Sequence, residues 1–163
     1  AMLDTDDDGR RLVLIVRDPS LAILSHGMQP VTGRRVMHAE LASFAANVYT
    51  YNAWKGPAVL VRYEDLVGSD ATLLGAATRV LETLGVQGFE APLDAFVRHR
   101  DEHAGIAKQS LQRTPFSAKV DWDAPAVRTM RLAALRSLAN YATQGSTLEA
   151  IVNDANGKLA MIR

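Results

Sequence analysis

Two short aliphatic runs and several series of helix-spaced apolar positions organise this chain. Leu12-Val13-Leu14-Ile15-Val16 is continuous and of strand length, flanked by Arg10-Arg11 and by Arg17-Asp18-Pro19. That pattern predicts a parallel strand covered on both faces. Pro19 and Ser20 open an apolar stretch through Leu24, and proline just after a strand suits the first turn of a helix. Arg17 therefore falls where strand turns into helix. Beyond the Gly- and Pro-bearing segment 27–33, Met37, Leu41, Phe44, Ala45, Val48 and Tyr51 recur at helical spacing, predicting a long helix that ends near Trp54 with Gly56-Pro57 as its stop. Ala58-Val59-Leu60-Val61-Arg62 then repeats the aliphatic pattern. Two such runs joined by a helical crossover are the sequence form of parallel strands.

Ser69 or Asp70 is suited to cap a further helix, with Leu73, Leu74, Ala77, Val80, Leu81 and Leu84 marking one face and Gly85 supplying the stop. The segment 91–103 reads as helix, and 108–120 as irregular chain with turn chemistry at Thr114-Pro115. Asp123 and Pro125 open a helix through Tyr141, where Val127, Met130, Ala134, Leu138 and Tyr141 form an apolar stripe opposite Arg128, Arg131 and Arg136. Ser146 with Glu149 predicts a capping box for a last helix. Two strands among five or six helices is an unbalanced set, because a two-stranded parallel sheet leaves edges that something must cover. Since open parallel sheets usually carry more strands, completion by an upstream segment or by a second copy of the chain is expected.

Composition narrows the classes. At 163 residues the chain is long enough for one domain with a sizeable core, and 163 residues without an obvious linker predict a single domain, lacking its N-terminal part. Lys plus Arg total 18 and Asp plus Glu total 18, so there is no basic excess of the kind that supports nucleic-acid or membrane-surface binding. The absence of cysteine excludes disulfide frameworks, thiol nucleophiles, zinc ribbons and iron–sulfur clusters. No apolar run approaches a membrane span and the first residues are acidic where a signal peptide is basic, so the chain reads as soluble and cytoplasmic.

Most candidate motifs fail on their spacing. Asp4, Asp6, Asp8 and Gly9 match the first half of a calcium loop, but Ile15 stands where the bidentate carboxylate belongs. His38-Ala39-Glu40 has the form of a zinc-deaminase motif without the cysteines that complete it, and reads as helix surface. His99 and His103 share a helix face, yet Arg100 occupies the position of the zincin glutamate. His99-Arg100-Asp101 mimics a kinase catalytic loop, with Ile106 in place of its magnesium-binding asparagine. No metal site is expected.

What remains is Arg17-Asp18-Pro19-Ser20-Leu21-Ala22-Ile23-Leu24-Ser25, at the end of a strand and running into a helix. Ligands of open α/β sheets bind at the carboxyl ends of strands, and a helix N-terminus there offers N–H groups and a positive dipole end to an anion. Arg17 adds a planar donor fork suited to phosphate, and Ser25 a hydroxyl two turns on. The competing reading pairs Arg17 with a carboxylate such as Asp18 or Glu64. The second strand ends in Arg62-Tyr63-Glu64-Asp65-Leu66, followed by an amphipathic helix that closes at Leu84-Gly85.

Together the two blocks resemble sulfotransferases that use 3′-phosphoadenosine 5′-phosphosulfate (PAPS). In that family a strand leads into R-[DN]-P-x-x-x-x-x-S, whose Arg and Ser hold the 3′-phosphate, and a later strand leads into Y-E-D-L and a helix ending in Leu-Gly. The resemblance covers about residues 10 to 86. It implies a P-loop-NTPase-like parallel sheet flanked by helices, incomplete and helix-rich in this chain, hence an α/β class. It further implies that Arg17 and Ser25 hold the 3′-phosphate, that Tyr63 lies by the adenine, and that PAPS is the cofactor, released as 3′-phosphoadenosine 5′-phosphate (PAP). Lys119, in Lys119-Val120-Asp121-Trp122, resembles only the end of the family's R-K-G…G-D-W region and is a further phosphate-contact candidate. The family's P-K-[ST]-G-[TS]-[TS]-[WF] loop, which binds the 5′-phosphosulfate, has no counterpart in this sequence. The expected reaction is sulfuryl transfer to a hydroxyl or amine of a small-molecule or glycan acceptor, with this chain alone inactive. The alternative is a noncatalytic helical protein-interaction domain on the same framework, for which the apolar stripe over 125–141 is the candidate surface.

Overall fold

A computed structural model describes residues 9–27, 33–100 and 121–161, the side chains of 25–27 and 33–37 excepted. In chain order the elements are β1 (Leu12–Val16), α1 (Pro19–Gly27), α2 (Gly33–Ala53), β2 (Ala58–Arg62), α3 (Tyr63–Val67), α4 (Asp70–Thr83), α5 (Glu90–Arg98), α6 (Pro125–Ala139) and α7 (Thr147–Met161). The class is helix-rich α/β, with a small two-stranded parallel sheet. No described helix is long and apolar enough to cross a membrane. The chain divides into two compact units, one made of Ala1–Val16 with Ala53–Arg113, the other of Arg17–Asn52 with Thr114–Arg163.

In the first unit β1 and β2 pair in parallel, from Leu12 opposite Ala58 to Val16 opposite Arg62. The expected coverage of both faces is not met. Val16 and Val61 are buried, but Ile15, the register partner of Val61, is 54% exposed. Register partners in a parallel pair share a face, so that face is covered over β2 and open at β1; α3 and α4 both pack against β2. The segment after β2 is also a correction, since Tyr63-Glu64-Asp65-Leu66, expected as the end of the strand, begins α3 directly.

Ser69 caps α4, its hydroxyl accepting the Thr72 N–H at 3.3 Å and satisfying one first-turn donor. Leu73 of α4 joins Leu93 and Val97 of α5 in a buried cluster, with Leu66, Ala77, Leu81 and Phe89 packed around it. Leu74 and Leu84, expected on the inner face, are instead exposed. The helix ends in a Schellman turn, with Gly85 N–H donating to Glu82 O at 2.9 Å and Val86 N–H to Leu81 O at 3.0 Å. Gly85 holds φ +70°, a left-handed conformation that disfavours any side chain. Arg11 completes the stop, its guanidinium donating to Thr83 O at 3.0 Å. Gly85→Ala is expected to lower stability by about 1–2 kcal/mol, read as a reduced urea midpoint at unchanged slope.

The second unit is helical. α6 packs on α1 and α7. Its core takes Ile23 and Leu24 from α1, Leu41, Ala45 and Val48 from α2, and Leu148, Val152, Ala155 and Leu159 from α7. The α2 positions are those the helical spacing predicts. On α6 the stripe is displaced, because the buried residues are Arg131, Ala134, Leu135 and Leu138, whereas Met130 and Tyr141 are more than one-third exposed. The helix also stops at Ala139, with Tyr141 in the following turn, where its carbonyl accepts the Tyr49 hydroxyl. Ser146 caps α7 through the Glu149 N–H at 3.2 Å. The reciprocal bond differs from a capping box: Glu149 takes the Gly145 N–H at 2.6 Å, because the Ser146 N–H already serves Thr143 O at 3.0 Å.

Candidate functional site

The strand β1 hands over to α1 through Arg17 and Asp18. Asp18 is followed by Pro19 at the first helical position, which has no N–H to satisfy. One carboxylate oxygen of Asp18, Oδ1, accepts the Ser20 N–H at 2.8 Å, the Leu21 N–H at 3.3 Å and the Ser20 hydroxyl at 2.6 Å. Its main-chain carbonyl accepts the Ala22 N–H at 3.0 Å. The first turn of α1 is thus filled from within the chain. This corrects the expectation that these N–H groups await an external anion, since a carboxylate of the chain itself already occupies the positive end of the helix. An anion in this region is left to side-chain donors.

The other Asp18 oxygen, Oδ2, meets Arg131 of α6. The Arg131 guanidinium donates through Nη2 to Asp18 Oδ2 at 3.0 Å and through Nε to Ser20 Oγ at 3.0 Å. Nη1 reaches the Trp122 carbonyl at 3.5 Å and lies 3.9 Å from Asp123 Oδ1. The Arg131 side chain is only 5% exposed and that of Asp18 11%, and Ser20 is fully buried. Ser20 Oγ bridges the pair, donating to the aspartate and accepting from the arginine. The stripe expected from the sequence puts Arg131 on the polar face of α6, where the structure buries it, so the trio is not legible from that stripe. The signal that marks it is the spacing of Arg131, Ala134, Leu135 and Leu138 at i, i+3, i+4 and i+7, a stripe as regular as that of Val127, Met130, Ala134, Leu138 and Tyr141.

Arg17 is exposed, one residue after the last paired residue of β1. Ser25 lies in the same unit on α1, six residues beyond Pro19 and so about 9 Å along the helix axis. Tyr63 belongs to the other unit, as the first residue of α3, and is 38% exposed. Lys119 lies outside the described residues, as do Asp4, Asp6 and Asp8 of the calcium-like run and the irregular segment 108–120. The Leu84-Gly85 pair is accounted for by helix termination alone. His38 is exposed on α2, and no group of three His, Cys, Asp or Glu side chains that could hold a metal is present among the described residues.

No family model, no curated protein and no solved structure matches the chain.

Proposed function

We propose that the chain is, or is part of, a sulfotransferase that uses PAPS, with Arg17 and Ser25 as the side chains that hold the cofactor's 3′-phosphate and with a P-loop-NTPase-like arrangement of its sheet. The observation that carries this reading is the juncture of motif and element. Two parallel strands pair in register through Val16 and Arg62, and Arg-Asp-Pro follows the first directly while Tyr-Glu-Asp-Leu follows the second. The carboxyl ends of parallel strands are where ligands of this class of sheet bind. The donor set suits a phosphate dianion, pairing an exposed guanidinium fork with a hydroxyl on the helix that the fork precedes. PAPS would supply the activated sulfuryl group. The residues of this chain would bind and orient the nucleotide, and with the first turn of α1 taken by Asp18, that binding rests on side chains.

The interaction-domain alternative gains no support, because Ala134 and Leu138 of its candidate stripe are buried in the core of the second unit. The sequence carries no loop for the 5′-phosphosulfate, so binding of nucleotide to this chain alone is expected to be weak. The test is calorimetric titration with PAP and with adenosine 5′-monophosphate, which differ by the 3′-phosphate. Wild type is expected to prefer PAP, and Arg17→Ala to lose that preference, a bidentate charged contact being worth on the order of a hundredfold in affinity. Equal binding of the two nucleotides by wild type, or binding of neither at millimolar ligand by a folded sample, rejects the reading.

A further inference from the structure

We infer that Arg131 is a positioning residue for the 3′-phosphate site, acting through Asp18 and Ser20 to fix the strand-to-helix turn that carries Arg17; the inference rests on the sulfotransferase reading. Arg131 itself is not a ligand. Its guanidinium is almost wholly buried and directed at Ser20 Oγ, Asp18 Oδ2 and the Trp122 carbonyl. Its effect on a phosphate is indirect and has two parts.

The first part is geometric. Asp18 is the residue next to Arg17, and its carboxylate is tied at both oxygens, by the first turn of its own helix on one side and by Arg131 on the other. Arg131 approaches from α6, 113 residues along the chain, so the turn is referred to a second helix and does not depend on α1 alone. Fixing the main chain at Asp18 fixes the origin of the Arg17 side chain, and a displacement of about 1 Å at a positioned group is enough to lose most of a bidentate contact.

The second part is electrostatic. A carboxylate beside the guanidinium that must receive a phosphate is a competitor for it and repels the ligand. Arg131 is the buried counter-charge of that carboxylate, at 3.0 Å. Without it the Asp18 charge, next in sequence to Arg17, loses that counter-charge. The ion pair thereby keeps the Arg-Asp-Pro turn selective for a dianion although it contains an anion.

The experiment is the PAP against adenosine 5′-monophosphate titration in Arg131→Met, Asp18→Asn and the double variant, each checked for folding by circular dichroism. Asn at position 18 retains an oxygen for the Ser20 and Leu21 N–H groups but removes the charge. Arg131→Met is expected to lower the PAP preference about tenfold with adenosine 5′-monophosphate affinity unchanged, a split that a general loss of folding, lowering both alike, would not produce; the double variant is expected to recover the electrostatic part of the preference. An unchanged preference in a folded Arg131→Met, or a double variant no better than the single, overturns the inference while leaving the sulfotransferase reading in place. A wild type that does not distinguish the nucleotides overturns that reading, and this inference with it. If Arg131→Met does not fold, Arg131→Lys replaces it; a single ammonium cannot span both Asp18 and Ser20 with a planar fork, so a loss of about fivefold is expected and no loss overturns the inference.

Discussion

Replacing Arg131 by methionine is expected to cost the protein about 3–5 kcal/mol of stability, a large part of the 5–15 kcal/mol typical of a folded domain. The loss does not measure the strength of the ion pair. Two charges removed from water regain much of the desolvation cost from each other, and the net worth of a buried pair is small. Removal of one partner leaves the other with the cost and without the return. The Asp18 side chain is 11% exposed, Ser20 is fully buried, and the arginine donor to Ser20 Oγ would vanish along with the charge. Asp18→Asn with Arg131→Met removes both charges while keeping the helix cap and the bulk of the long side chain, and is expected to recover to within about 1–2 kcal/mol of wild type. Urea unfolding of the four proteins closes the cycle. A single-variant loss below about 1 kcal/mol would mean that water or another cation replaces Arg131 at no cost, and that the trio is not what holds the start of α1 to α6.

How legible this molecule is in its sequence depends on the distance over which each feature is decided. The strands, the entry into α1 at Pro19, the Leu41, Ala45 and Val48 face of α2, the Ser69 cap and the Gly85 stop are all set by residues within about one or two turns of each other, and the sequence pattern placed them. Ile15 is different. A continuous aliphatic run says that a strand is apolar, but how many layers cover it depends on which helices pack there, and here α3 and α4 both pack against β2. Tyr63 to Leu66 contain no cap or helix signal beyond their acidic pair, so the pattern continues the strand through a segment that is a one-turn helix.

The candidate site divides in the same way. Arg17 and Ser25 are visible through a motif eight residues apart, and their assignment to a phosphate stands on the resemblance and on the strand end they follow. The Asp18, Ser20 and Arg131 trio is assembled across 113 residues, and the stripe through Arg131, Ala134, Leu135 and Leu138 marks the burial of the arginine without naming its partners. Asp18 was legible only as a possible partner of Arg17, when its carboxylate also serves as the cap of α1 and the counter-ion of α6. One side chain filling both roles explains why the helix N-terminus, which a local reading offers to an external anion, is occupied by the chain itself.

The register of α6 gives the second large prediction, because its two candidate stripes differ by a rotation that mutation resolves directly. Leu135 is fully buried and packs with Ala155 and Leu159 of α7, with Leu132 beside them. Met130 belonged to the stripe expected from the sequence, yet is 38% exposed. Adjacent residues on a helix are about 100° apart, so a stripe through Arg131, Ala134, Leu135 and Leu138 turns Met130 towards the rim. Both substitutions to alanine delete an apolar side chain of similar size, and both put the best helix former into the middle of a helix, so propensity does not separate them. Burial does. Leu135→Ala removes methyl groups from a site closed on all sides and is expected to cost about 2–5 kcal/mol, the upper end applying if α6 and α7 do not close over the cavity. Met130→Ala is expected to change stability by less than about 1 kcal/mol. Urea unfolding at unchanged slope reads both values. The reverse order would put the Val127, Met130 and Tyr141 side of α6 in the core, and would carry Arg131 outward with its stripe, so the same pair of measurements also tests the burial on which the Asp18 pairing depends.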